Sequence, residues 1–115
     1  PLPLIVCPQP APDFWIDPSP LVLAVIEDRM HNVSPALISA RFHQALIQLI
    51  PRLLAEVDVP DIILSGGCFQ NLALREGAAR MIAAADRTPR CHRDIPANDG
   101  GLAAGQLWYA AWGSC

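Results

Sequence analysis

Two short stretches of this sequence hold the residue types and spacings best suited to chemistry. The first is Leu64-Ser65-Gly66-Gly67-Cys68-Phe69-Gln70-Asn71, and the second runs from Pro96 to Gln106 as PANDGGLAAGQ. A Gly-Gly pair at the carboxyl end of a strand lets a ligand approach bare backbone, with N–H groups available to it. Taken by itself, the pair is as well explained by a tight strand-to-helix turn, and Asn71 by a helix cap. In the second stretch, Asn98-Asp99-Gly100-Gly101 puts a carboxylate where a helix begins, a position the helix dipole favours. The alternative for Asp99 is a metal ligand, because a carboxylate beside phosphate groups repels them unless a cation sits between.

The elements around these stretches must bring them together. Asp61-Ile62-Ile63-Leu64 is a short apolar run without polar alternation, as expected of a parallel strand buried on both faces. From Asn71 to about Ala85 the chain is rich in Ala, Leu and Arg, which favour helix. Thr88–His92 reads as a second strand, and Leu102–Trp112 as a small-residue helix ending near Gly113. A strand–helix–strand unit predicts a right-handed crossover and parallel pairing. Both glycine stretches then emerge on one sheet edge, where open α/β sheets bind ligands. Two such loops side by side favour a nucleotide site over two unrelated turns.

Two helices precede this unit. Ser19-Pro20 predicts a cap and first turn, followed by the apolar positions Leu21, Val22, Val25 and Ile26, with Asn32 suited to the C-terminal turn. Ser34-Pro35 predicts a second start. There Ile38, Phe42, Leu46, Leu49 and Leu53 recur at helical spacing, and Pro51 predicts a kink or a split near Ile50. Residues 1–19 hold six of the twelve prolines and read as an extended linker anchored by Phe14 and Trp15. Two strands alone do not make a stable sheet. Further strands must come from the proline-rich start or from polypeptide outside this sequence.

Composition narrows the function. The chain has 115 residues, 52% of them hydrophobic, and a formal net charge of −3, which fits one folded domain. With no basic excess it is not expected to bind nucleic acid. No apolar run approaches the ~20 residues of a membrane span. All eight basic residues are Arg, so mechanisms that need a P-loop or Schiff-base lysine drop out. The four cysteines, Cys7, Cys68, Cys91 and Cys115, form no C-x-x-C pair. They read as reduced thiols of a cytoplasmic protein, with Cys68 as a small apolar filler. His31 reads as a complement to a helix dipole and His43 as a structural, hydrogen-bonded histidine. His92 lies toward the ligand edge without an assigned role. Trp108, Tyr109 and Trp112 read as packing or interface residues.

The pair SGG-x-FQN and P-x-NDGGLA-x-GQ, with Pro96 25 residues after Asn71, resembles the final segment of the HypF-type carbamoyltransferases. Trp15–Asp28 and Ala40-Arg41-Phe42-His43 resemble the helices that precede the glycine loop in that family. The resemblance runs from Trp15 to Trp112. It implies an α/β fold: a partial lobe of an actin-like ATPase, with helices around a short parallel sheet, the strand-helix-strand-helix unit preceded by two helices. Residues 20–115 would be a C-terminal Kae1-like carbamoyltransferase segment and 1–19 a linker. The implied function is binding of nucleotide or carbamoyl adenylate within an ATP-dependent carbamoyltransferase. That family supplies the carbamoyl group for the cyanide ligands of [NiFe]-hydrogenase through a HypE-like acceptor protein. The resemblance points to Ser65, Gly66, Gly67, Asn71 and Asn98 as nucleotide contacts, and to Asp99 as ligand of a divalent metal. The family's His-x-x-x-His metal pair is missing, since His31, His43 and His92 do not have that spacing. The chain is therefore expected to be inactive alone. The alternatives are a non-catalytic nucleotide-binding or assembly module, and a relative of the tRNA threonylcarbamoyl transferases. Apolar surface left bare by a partial lobe predicts a homodimer or a complementing polypeptide.

Overall fold

In a computed structural model, residues 5–8 and 14–113 are described, with side-chain surroundings from residue 16 onward. The chain divides into two compact units, Pro1–Asp58 and Val59–Cys115.

The first unit opens with β1 (Ile5–Pro8), paired antiparallel with β2 (Phe14–Asp17) in the register Ile5↔Asp17 to Pro8↔Phe14. Where the sequence predicts a linker, two short strands form. In a two-stranded sheet every strand is an edge, and Pro8 falls on the last residue of β1, so its missing N–H is tolerated. The Phe14 and Trp15 side chains lie outside the described residues.

Helix α1 (Ser19–Met30) begins one residue earlier than expected. Pro18 occupies the cap position and Ser19 is helical; the carboxylate of Asp17 accepts from the Ser19 N–H at 2.9 Å. Backbone and side-chain hydrogen bonds from Ser19 hold the Asp17 carboxyl below its ordinary value. Asn32 takes φ 57° just beyond the helix, the left-handed turn asparagine tolerates.

Helix α2 (Pro35–Ala55) starts as its sequence predicts: Ser34 is the cap, its hydroxyl accepting from the Leu37 N–H, and Pro35 is the first residue. Pro51 does not split it. That residue lies about one turn from the C-terminal end, where little of the hydrogen-bond ladder remains to be lost. The two helices meet through Leu21 and Ala45, with Ala24, Val25 and Leu46 around them. The buried Asp28 carboxylate bonds the Arg41 guanidinium. Burial on α2 falls on Ile38, Ala45 and Leu49 along one face and on Ile47 and Leu54 along the opposite one, not on a single stripe, while Phe42, Val22 and Ile26 remain exposed. His31 and His43 each bond a backbone carbonyl one turn back, of Glu27 and Ser39.

The second unit has the expected strand–helix–strand order with parallel pairing. Strand β3 (Asp61–Leu64) pairs in parallel with β4 (Thr88–Cys91), register Asp61↔Thr88 to Leu64↔Cys91. Between them runs α3 (Leu72–Ala84), capped by Asn71, whose side-chain oxygen accepts from the Leu74 N–H at 3.1 Å. Ala78 and Ile82 of α3 are fully buried and Leu64 is nearly so. Gly77 is buried too, in keeping with close packing of the helix. Ile63, however, is 70% exposed. The strand predicted to be covered on both faces is covered on one, and among the described residues the β3–β4 sheet has no third strand. Helix α4 (Leu102–Trp112) buries none of its residues. Among the described residues no helix is long and apolar enough to cross a membrane.

Candidate functional site

The two glycine stretches meet at the carboxyl ends of β3 and β4. After Leu64 the chain turns sharply. Gly66 adopts φ 97° and ψ 157°, an extended backbone at positive φ that is essentially reserved for glycine. Gly67 then opens a single 3-10 turn to Gln70, which leads into the Asn71 cap of α3. After β4, Pro96–Asn98 leads into a second 3-10 turn, Asp99–Gly101, continuous with α4. The Gly66 N–H donates to the Ala97 carbonyl at 2.8 Å and ties the two loops together. A Cβ on Gly67 would stand 3.9 Å from that of Asn98.

Between the loops lies an open cavity of about 680 Å³. Ser65, Gly66, Asn98 and Asp99 line it, joined by His92 and Gln106; Ile95, Pro96, Leu102 and Tyr109 make its wall largely apolar. Four of the six residues expected at a nucleotide and metal site thus face one space. Gly67 borders Asn98 without lining the cavity. Asn71 serves as the cap of α3 and is not among the lining residues.

The backbone is less available than the Gly-Gly pair suggests. The Gly66 N–H is taken by Ala97; those of Gly100 and Gly101 are taken by the Asn98 side-chain oxygen at 3.0 Å and the Asn98 carbonyl at 2.9 Å. These bonds shape the loops rather than awaiting a ligand. Side chains add polar contacts of their own to the cavity. Ser65 Oγ and His92 Nε2 lie 3.0 Å apart, each one residue past the paired strand ends Leu64 and Cys91. In the sequence alone His92 carries no assigned role. The signal was its place one residue beyond β4, which acquires meaning only with the strand register. Tyr109, read as a packing residue, also lines the cavity and is 72% exposed.

Among the described residues, no three His, Cys, Asp or Glu side chains come together in a way that could hold a metal ion. Divalent cations recruit several ligands, so the residues present do not fit a metal centre by themselves. Cys68 and Cys91 are unbridged, and Cys68 is exposed rather than filling a gap. Cys115 and the side chain of Cys7 lie outside the described residues.

Comparison with known proteins agrees with this architecture. Residues 7–106 match the family described as the carbamoyltransferase, Kae1-like domain, second subdomain. The chain belongs to this family. It is 38% identical over 108 residues to carbamoyltransferase HypF of Rhodobacter capsulatus, an alignment covering 89% of this chain and 14% of that protein. With carbamoyltransferase HypF of Synechocystis sp. it shares 34% identity over 93 residues, 80% of this chain and 12% of the relative. The crystal structure of full-length HypF in its phosphate- and nucleotide-bound form superimposes with a TM-score of 0.79 at 26% identity, covering 94% of this chain and 15% of that one. The chain thus spans about one seventh of the length of these relatives. The α/β fold and the Kae1-like assignment expected from the glycine motifs both hold.

Proposed function

We propose that this chain forms the nucleotide-binding part of an ATP-dependent carbamoyltransferase, with ATP or carbamoyl adenylate as ligand. The observation that carries the reading is the cavity between the SGG and NDGG loops, at the carboxyl edge of a parallel strand pair, where sheets of this class bind ligands. Its apolar wall suits a nucleoside. Its polar rim of Ser65, His92 and Asn98 suits hydrogen-bonding groups. The nucleotide-bound state of the HypF structure that superimposes on this chain supports the same ligand class. In this reading Ser65, Gly66 and Asn98 contact the nucleotide, while Gly67 and Asn71 shape the first loop. Asp99 contributes one ligand to a divalent cation only where polypeptide beyond this chain supplies the rest. Carbamoyl transfer to a HypE-like acceptor, toward the cyanide ligands of [NiFe]-hydrogenase, belongs to that larger assembly.

Gly105 provides a clean test. It lines the cavity, and a Cβ there meets nothing within 4 Å. A Gly105→Leu substitution puts a side chain into open space beside the ligand while improving helix propensity by about 1 kcal/mol. Calorimetric titration with ATP is expected to show binding to the wild type and at least tenfold weaker binding to Gly105→Leu, with no loss of thermal stability. A folded wild type that binds no ATP would leave the chain as an assembly module.

Self-association is a second expectation. Leu107, Trp108 and Trp112 on α4 are each about 70% exposed, as is Ile63, and apolar surface of this kind marks interaction sites. Size-exclusion chromatography with light scattering is expected to give a homodimer; a monodisperse monomer would remove it.

A further inference from the structure

We propose that His92 is a positioning residue of this site, which orients the Ser65 hydroxyl toward an acceptor atom of a bound nucleotide; the inference rests on the nucleotide reading given above. Ser65 and His92 occupy equivalent places, each one residue beyond a paired strand end, and both line the cavity. The 3.0 Å contact between Oγ and Nε2 joins the two strand ends by a side-chain bond, next to the backbone bond from Gly66 to Ala97.

The direction of the bond follows from what the ligand needs. A nucleotide presents acceptor oxygens on its phosphates and ribose. Three backbone donors of the loops, on Gly66, Gly100 and Gly101, are already taken within the protein. The Asp99 carboxylate only accepts. The Ser65 hydroxyl lines the cavity and has a single proton to give. If His92 Nε2 accepted that proton, the hydroxyl would turn its lone pairs to the ligand and repel its oxygens. With His92 Nε2–H as donor to Oγ, the serine proton points into the cavity. The imidazole thus fixes a rotor that would otherwise sample several directions.

The test is calorimetric titration of ATP into the wild type, Ser65→Ala, His92→Ala, His92→Gln and the Ser65→Ala/His92→Ala double variant, each first shown to be folded by circular dichroism. Loss of one neutral hydrogen bond is expected to weaken binding about three- to tenfold in each alanine variant. The double variant should bind no more weakly than the worse single one, because both remove the same interaction. His92→Gln, whose amide can still donate to Oγ, should recover most of the affinity, which separates positioning from bulk packing and keeps the test alive should His92→Ala fail to fold. Unchanged binding in His92→Ala, losses that multiply in the double variant, an unaffected Ser65→Ala beside a weakened His92→Ala, or no recovery with glutamine would each overturn the inference while leaving the nucleotide site standing. Absence of ATP binding to the wild type would overturn both.

Discussion

Replacing Ile82 by alanine is expected to destabilise the second unit by about 2–5 kcal/mol, the range for emptying a fully buried aliphatic site. Ile82 has no exposed surface and lies on α3 with Ala78, also fully buried. Small neighbours cannot swell to fill the space left behind, so the cavity term adds to the lost transfer energy. The internal control is Ile63→Ala. The side-chain change is the same, but Ile63 is 70% exposed, and its removal should shift stability by no more than about 0.5 kcal/mol. Urea unfolding followed by circular dichroism measures both. Equal effects would mean that Ile63 is covered in solution, which would in turn support the self-association expected from α4.

Gly101→Ala should cost stability and ligand binding together. A Cβ on Gly101 would lie 2.6 Å from the Pro96 carbonyl oxygen and 3.2 Å from a methyl of Ile95. The nearer atom is backbone, so either the Pro96 peptide or the start of α4 must move. Overpacking of this kind costs about 1–3 kcal/mol. The displaced segment carries Asn98 and Asp99, so ATP affinity should fall at least tenfold. Gly105→Ala separates this clash from any general intolerance of side chains in α4. Its Cβ meets open space, and the helix should gain up to about 1 kcal/mol. Opposite signs at two glycines four residues apart are the expected result; losses at both would point instead to a helix that cannot tolerate substitution.

Much of the second unit was legible because its signals are local. Asn71 caps, Gly66 turns, and Asp61–Leu64 and Leu102–Trp112 run between their breakers, so the ends of β3, α3 and α4 fall close to where the residues place them. The first unit is less legible around its prolines, whose effect depends on where in an element they fall. Pro8 ends a strand that, among the described residues, pairs on one side alone, and Pro51 sits near the end of α2; in both places the missing N–H does little harm. Pro18 rather than Ser19 came to occupy the cap of α1 because Asp17 reaches the Ser19 N–H from outside the helix. At the site, residue types identified the loops but not the partnerships within them. That Gly66 would give its N–H to Ala97, and that His92 would meet Ser65, depends on strand register, which no single stretch of sequence contains.

The Gly66–Ala97 bond also bears on how such a site can change over generations. It joins a main-chain donor to a main-chain acceptor. Substitution at Ala97 leaves it intact, and at Gly66 it is lost outright only to proline, although the positive-φ backbone there narrows the choice of residue. The cavity's outline is thus held by atoms that mutation seldom alters, whereas its chemistry rests on exchangeable side chains at 65, 92, 98 and 99. A lineage could retune what the cavity accepts, or let its chemistry lapse, and still inherit the same mouth.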